Sequence, residues 1–367
     1  MEKSITAFVR TVRGGEQLCF EELEDIAQTK LSCSCAENGF VIFGATKSVL
    51  AKIIYFSQTI YAAGELIGSK NINTGDVEET VSTIIDLVKA HPHAIDKSAG
   101  MRVTCHRRGE HAYNSQDVER RSGEFFHEAG FTIELNKPAY NILIFLEEEF
   151  CLVGFDWAGR ELDKRAYRIF TSARSIKAPI CALTVQFAKP KKDFVDPFGG
   201  DGSIAIEAAL QANAKSPHEY QPEFLFQKWF TFDFAAAKRK KKGFAVSYAD
   251  GQIRHLLSAK KNAKIGGVHD LINFAKADPS WLDTRFEKVT CMATHLIEPG
   301  KTTPEKFVRK LYEDLKDTCN MILKGPLCVI TTKKELFLEV FSGYAITEEL
   351  TLQTKHQTFY LLKLLRQ

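Results

Sequence analysis

Residues 193–209, DFVDPFGGDGSIAIEAA, constrain the fold of this chain more than any other stretch. They read as strand, glycine loop and helix. Phe194 and Val195 supply a buried strand end, and Pro197 stops it. Gly200 and Gly202 let the backbone bend sharply and approach a ligand with no Cβ in the way. Ser203 can cap the helix, and Ile204, Ile206, Ala208 and Ala209 give it an apolar face. A carboxylate at a strand end, followed by glycine amides at a helix N-terminus, is how open α/β sheets hold nucleotide-like ligands. The spacing is neither GxGxxG nor GxxxxGKS. With no lysine for phosphates and with acids at Asp196 and Asp201, a triphosphate is a poor guest. A cationic sulfonium such as S-adenosyl-L-methionine suits the loop better, and a plain glycine-rich turn is the other reading.

The chain has 367 residues, which predicts two or three domains. The net charge of +3 neither demands nor excludes nucleic acid, so local patches must carry that argument. The nine cysteines form no CxxC pair, and Cys33-Ser-Cys35 lacks a second pair or a histidine cluster, so no metal is expected. An odd cysteine count without a secretory signal fits a cytoplasmic protein with reduced thiols. No run approaches the roughly 20 apolar residues of a membrane span. His91-Pro-His93 carries no assigned role.

The glycine stretch resembles the DPxxGxG loop of THUMP-associated RNA methyltransferases, whose usual form is DPFCGSGTxxIEAA. Here Gly199 replaces the cysteine, and Asp201 and Ser203 replace serine and threonine. The resemblance runs along nearly the whole chain. It implies an α/β protein: a C-terminal Rossmann-like seven-stranded methyltransferase sheet behind N-terminal α+β ferredoxin-like and THUMP modules. The expected division is 1–70 ferredoxin-like, 71–160 THUMP, 161–178 linker and 179–367 methyltransferase domain.

The THUMP likeness rests on the run Arg102-Val-Thr-Cys-His-Arg-Arg108-Gly109-Glu-His111-Ala-Tyr113-Asn-Ser115, which follows the family's R-x-G-x-H-x-F/Y-x-S pattern. Arg102, Arg108 and His111 are expected to hold RNA phosphates, and Tyr113 to stack on an unpaired base. A solvated basic face is the alternative. Leu162-Asp-Lys-Arg165-Ala-Tyr167-Arg168 is similar to the family's L-H-K-R-G-Y-R run, making Arg165 and Arg168 candidates to grip the RNA backbone, or to form an interdomain salt bridge. Residues 224–230 resemble an F-x-F-E-x-W insert. The cation run 238–242 either touches phosphates or is merely solvated.

In the C-terminal half, residues 244–249 predict a second strand ending at Asp250, and residues 272–277 a third ending at Asp278. Acids closing three consecutive strands, Asp196, Asp250 and Asp278, form a specific constellation for an adenosylmethionine site. With Phe198, Gly200, Gly202 and Ser203 they are the expected cofactor residues. Residues 289–292 predict the fourth strand. Beyond it the family carries a catalytic N-P-P-Y or D-P-P-Y, and this register holds Met292, Ala293, Thr294 and His295 instead. Met292 offers only a weak thioether acceptor, and only His295 could still stack on a base. The resemblance implies a methyltransferase acting on guanine N2 of RNA, and of tRNA in particular. The replaced motif points to a non-catalytic RNA-binding relative or partner subunit. The sequence leaves both open.

Overall fold

The computed structural model describes residues 2–91, 96–220 and 223–367, so Pro92 and His93 of the His-Pro-His triplet lie outside it. The N-terminal half is built from β1 (Ser4–Arg10), α1 (Glu16–Ala27), β2 (Ser32–Glu37), β3 (Phe40–Thr46), α2 (Lys47–Phe56), β4 (Ala62–Asn71), α3 (Val77–Ala90), β5 (Met101–Arg108), α4 (Ser115–Glu128), β6 (Tyr140–Glu147) and β7 (Phe150–Asp156). Its strands form a single sheet in the order β2-β3-β1-β4-β7-β6-β5. The expected division at residue 70 therefore falls inside β4, which pairs with β1 on one side and β7 on the other. Strand β2 has no apolar alternation to betray it, because SCSCAE lies on an exposed edge. Beside β5, Ile133 forms an isolated parallel bridge with Met101.

The C-terminal half comprises α5 (Ala178–Ala188), β8 (Asp193–Asp196), α6 (Ser203–Asn213), β9 (Ala245–Asp250), α7 (Ile253–Ile265), β10 (Ile272–Lys276), β11 (Met292–His295), α8 (Glu305–Ile322), β12 (Leu327–Thr331), α9 (Glu335–Val340), β13 (Tyr344–Gln353) and β14 (Thr358–Arg366). The strand order is β10-β9-β8-β11-β12-β14-β13. Strands β8 to β12 run parallel, and β14 inserts antiparallel between β12 and β13. From β8 the chain winds outward through β9 and β10, then crosses back to β11. The carboxyl ends of β8 and β11 thus flank a point of reversal, where open α/β sheets bind ligands.

Helices α5, α6 and α7 cover one face of this sheet, and α8 and α9 the other. The aromatic insert around Phe224, Phe226 and Trp229 packs on Trp157 of the N-terminal half. A deeper tie is buried between the halves. Glu207 of α6 accepts from Gln58 Nε2 (2.6 Å), Arg165 Nε (3.1 Å) and the Tyr167 hydroxyl (2.7 Å). None of the described helices is long and apolar enough to cross a membrane.

Candidate cofactor crevice and RNA cleft

The glycine loop is held by its neighbours. Gly200 and Gly202 take φ values of +54° and +85°, the left-handed region that favours glycine. A Cβ on Gly202 would lie 2.8 Å from the Ala259 methyl, so α7 can pack closely only on glycine. At Gly199, a Cβ would lie 2.2 Å from the Tyr248 ring. Tyr248 thus fills the space that a side chain at 199 would need, and its hydroxyl donates to Gly200 O at 2.8 Å. Ser203 is the first helical residue rather than the cap. Its amide is held by Asp201 Oδ1 at 3.1 Å, leaving Ser203 Oγ buried without a partner.

The three acids stand at the ends of three adjacent strands. Asp250 Oδ2 accepts from Gly200 N (3.0 Å) and Oδ1 from Gln252 N (2.8 Å), with His255 Nδ1 at 3.1 Å from both oxygens. Asp278 is exposed, its carboxylate lying where a Cβ on Gly251 would stand. Asp196 is buried. Thr294 Oγ1 donates to its Oδ1 at 2.7 Å, and its Oδ2 has no partner. Burial pushes the Asp196 carboxyl up to about 7, opposed by the Thr294 bond and by Arg174 and reinforced by the charge of Asp250.

The fourth strand falls three residues later than expected. Met-Ala-Thr-His is itself β11, in ladder with β12 from Met292↔Leu327 to His295↔Ile330. The Met292 side chain turns into the core, its sulfur 3.8 Å from that of Cys319. Ala293 is buried on the opposite face, against α5 and α6. Thr294 Oγ1 also accepts from Phe198 N at 3.2 Å, so it braces the glycine loop. His295 meets Phe359 edge-on at 6.4 Å, and burial lowers its pKa to about 4, keeping the ring neutral.

Sequence reasoning missed Arg174 and His255, and placed Thr294 at the catalytic-motif position rather than as a brace for Asp196 and the glycine loop. Arg174 reaches from the segment before α5 into the crevice, its Nη2 3.2 Å from His295 O and 3.4 Å from Phe198 O. A lone arginine in a serine-rich connection carries no periodic signal. Asn262, noted only as part of a family run, ties that segment down by bonding Phe170 N, Phe170 O and Asp201 O.

The expected RNA residues separate into two groups. Arg165 is a correction: its side chain is fully buried and paired with Glu207, so it binds the two halves together rather than phosphate. Tyr113 is another: its ring is buried in the core and its hydroxyl lies 2.7 Å from Thr80 Oγ1, so it cannot stack on a base. Arg168 is half-buried, its amide donating to Arg165 O at 3.2 Å. His111 is held by Glu148 O at 2.9 Å and stands 3.3 Å from Arg107 Nη1. Arg102 and Arg108 line a cleft of about 870 Å³ between the two sheets, together with Arg10, Arg13, Lys177 and Lys355. Arg108 Nη2 reaches Gln353 at the hairpin, 3.4 Å away. Phe359 also lines this cleft, which connects it to His295 at the crevice. In the cation run, Arg239 is buried against Glu22 and Asp25, so at that position the charge is structural. Among the described residues no cluster of His, Cys, Asp and Glu is arranged to hold a metal.

A mostly parallel sheet with this strand order, a glycine loop at its point of reversal and acids closing three neighbouring strands define a Rossmann-like methyltransferase domain. Residues 165–360 match the family described as "RMKL-like, methyltransferase domain", and residues 76–156 match the THUMP domain. The chain belongs to that methyltransferase family. It is similar to "tRNA (guanine(6)-N2)-methyltransferase" of Methanocaldococcus jannaschii, 24% identical over 93% of this chain and 95% of that one. The protein of the same name from Archaeoglobus fulgidus is 24% identical over 92% of this chain and 86% of its own. The crystal structure of TrmN from Thermus thermophilus superposes with a TM-score of 0.72 at 20% identity, covering 99% of this chain and 100% of that one.

Proposed function

We propose that this protein is a cytoplasmic, S-adenosyl-L-methionine-dependent RNA methyltransferase acting on guanine N2 of tRNA. The observation that carries the reading is the unpaired Asp196 Oδ2, buried at the point of sheet reversal beside Asp250 and Asp278. Buried polar atoms are rarely left unpaired, and a ligand that donates to this oxygen would satisfy it. Ser203 Oγ is a second orphan at the same loop. Asp250 and Asp278 would take the ribose and adenine of the cofactor, and the glycine loop would admit its chain. When bound, the cofactor supplies a methyl group on a cationic sulfonium, which the acids favour. The basic cleft that opens from Arg102 and Arg108 toward Phe359 supports an RNA strand reaching the same crevice. The two relatives of matching length and name support guanine N2 of tRNA.

A second reading is favoured by β11. Met292 is engaged with Cys319 and Thr294 with Asp196, so neither side chain presents an acceptor to a base amino group. The protein would then bind cofactor and RNA without transfer. Calorimetric titration with S-adenosyl-L-methionine, followed by labelled methyl transfer to bulk tRNA, decides between them. Binding with transfer supports the first reading, and binding without it the second. Absence of cofactor binding would sink both.

A further inference from the structure

Arg174 and Asp196 present a buried donor and a buried acceptor in one crevice, each with an atom left unpaired. The guanidinium straddles the ends of β8 and β11 through Nη2, while its Nε has no hydrogen-bond partner. Asp196 uses Oδ1 for Thr294 and leaves Oδ2 free. Arg174 acts through space on both Asp196 and Asp250. The segment that carries it is anchored on both sides: Ser175 Oγ donates to Asp201 Oδ2 at 2.5 Å, and Asn262 clamps Phe170 to the glycine loop. The arginine is thus delivered by a braced strap. A site with one orphaned donor on a cation and one orphaned acceptor on an acid matches a zwitterion, which carries both a carboxylate and an ammonium group.

We propose that Arg174 binds the α-carboxylate of the cofactor's amino-acid tail while Asp196 receives its α-ammonium group. The assignment rests on the cofactor reading above and adds to it a residue that the strand-end acids do not include. It also gives the position of the strap a purpose, since a bidentate guanidinium recognises a carboxylate by shape as well as by charge.

The test compares three ligands by calorimetry on the full chain. S-adenosylhomocysteine has the whole tail, decarboxylated S-adenosylmethionine lacks the carboxylate, and 5′-methylthioadenosine lacks the tail altogether. Arg174→Ala should weaken S-adenosylhomocysteine by roughly ten- to a hundredfold, the range expected for a hydrogen bond to a charged group. It should leave the other two ligands unchanged, and Arg174→Lys should recover part of the loss. Unchanged binding of the tail-bearing ligand overturns the assignment. So does an equal loss for all three, which marks a damaged crevice. Tighter binding of all three overturns it too, because Arg174 would then be an internal occupant that ligands must displace. Wild-type protein that binds none of them removes the cofactor reading and the assignment with it, whereas binding indifferent to Arg174 removes the assignment alone.

Discussion

Arg165 Nε lies 3.1 Å from Glu207 Oε1, with neither side chain exposed to solvent. The same guanidinium donates to Gln58 O at 2.6 Å, and Glu207 also accepts from Tyr167. One buried ion pair therefore joins the loop between α2 and β4, the connection between the halves and the helix that follows the glycine loop. Removing a single partner leaves an uncompensated buried charge, which costs about 3–5 kcal/mol. Glu207→Ala should lower the thermal midpoint by several degrees. The paired replacement Arg165→Met with Glu207→Leu should be milder than either single change, as measured by differential scanning calorimetry.

Gly199 and Tyr248 form a matched pair. A side chain at 199 meets the tyrosine ring, so Gly199→Cys should destabilise by about 1–3 kcal/mol through overpacking. Tyr248→Val would open room for that cysteine. The double variant should therefore lose less than the sum of the two single losses, and strict additivity in chemical denaturation would contradict the pairing.

Asp196 makes stability and ligand binding depend on pH in opposite directions. Its folded-state pKa is raised from 3.8 to about 7 by burial, so between those values the folded protein holds a proton that the unfolded chain has released. Its contribution to stability is therefore lost as pH rises from about 4 to about 7. A cationic ligand needs the carboxylate, so its affinity should fall by up to about tenfold per pH unit below 7 and level off above it. Asp196→Asn should flatten both profiles in parallel thermal-shift and binding titrations from pH 5 to 8.

Proline at 293 or 294 should be poorly tolerated. Both positions lie inside β11, a central strand between β8 and β12. Proline there deletes a ladder hydrogen bond and forces the chain aside, at a cost of about 3 kcal/mol or more. Writing Asn-Pro-Pro-Tyr across Met292–His295 should thus lower solubility or thermal stability before it affects transfer. A stable variant of that kind would show that β11 can end earlier than it does here.

The cleft should reveal itself through salt. Arg108→Ala and Lys355→Ala should each weaken RNA binding and reduce the slope of log affinity against log salt by about one. Tyr113→Phe should leave RNA affinity unchanged, because the hydroxyl it removes faces Thr80 inside the protein. Filter binding at several salt concentrations distinguishes these outcomes.

The elements nearest the crevice were legible because their signals are local. The glycine loop, α6 with its apolar face and the strand-closing acids each declare themselves within a dozen residues. Where a signal was weak, the reading slipped. The exposed edge β2 has no alternation, and the short apolar run around Val289 hid the true extent of β11, which register with β8 and β12 settles.

Side-chain destinations were not legible. Arg102 and Arg165 are both arginines in basic runs, yet one lines the cleft between the sheets and the other is sealed against Glu207 from a distant segment. Tyr113 stands in a THUMP-like run and still packs inward. By itself, the order of residues determined the glycine turn, the helix after it and the acids that close neighbouring strands, since backbone sterics and periodicity act over short separations, while the seven-stranded sheet followed from the family resemblance. Only the tertiary structure decided which cations face solvent, that β4 joins two expected modules into one sheet, and that Arg174 reaches the ends of β8 and β11. Burial and charge pairing depend on segments far apart in the chain, and no short window of sequence contains both partners.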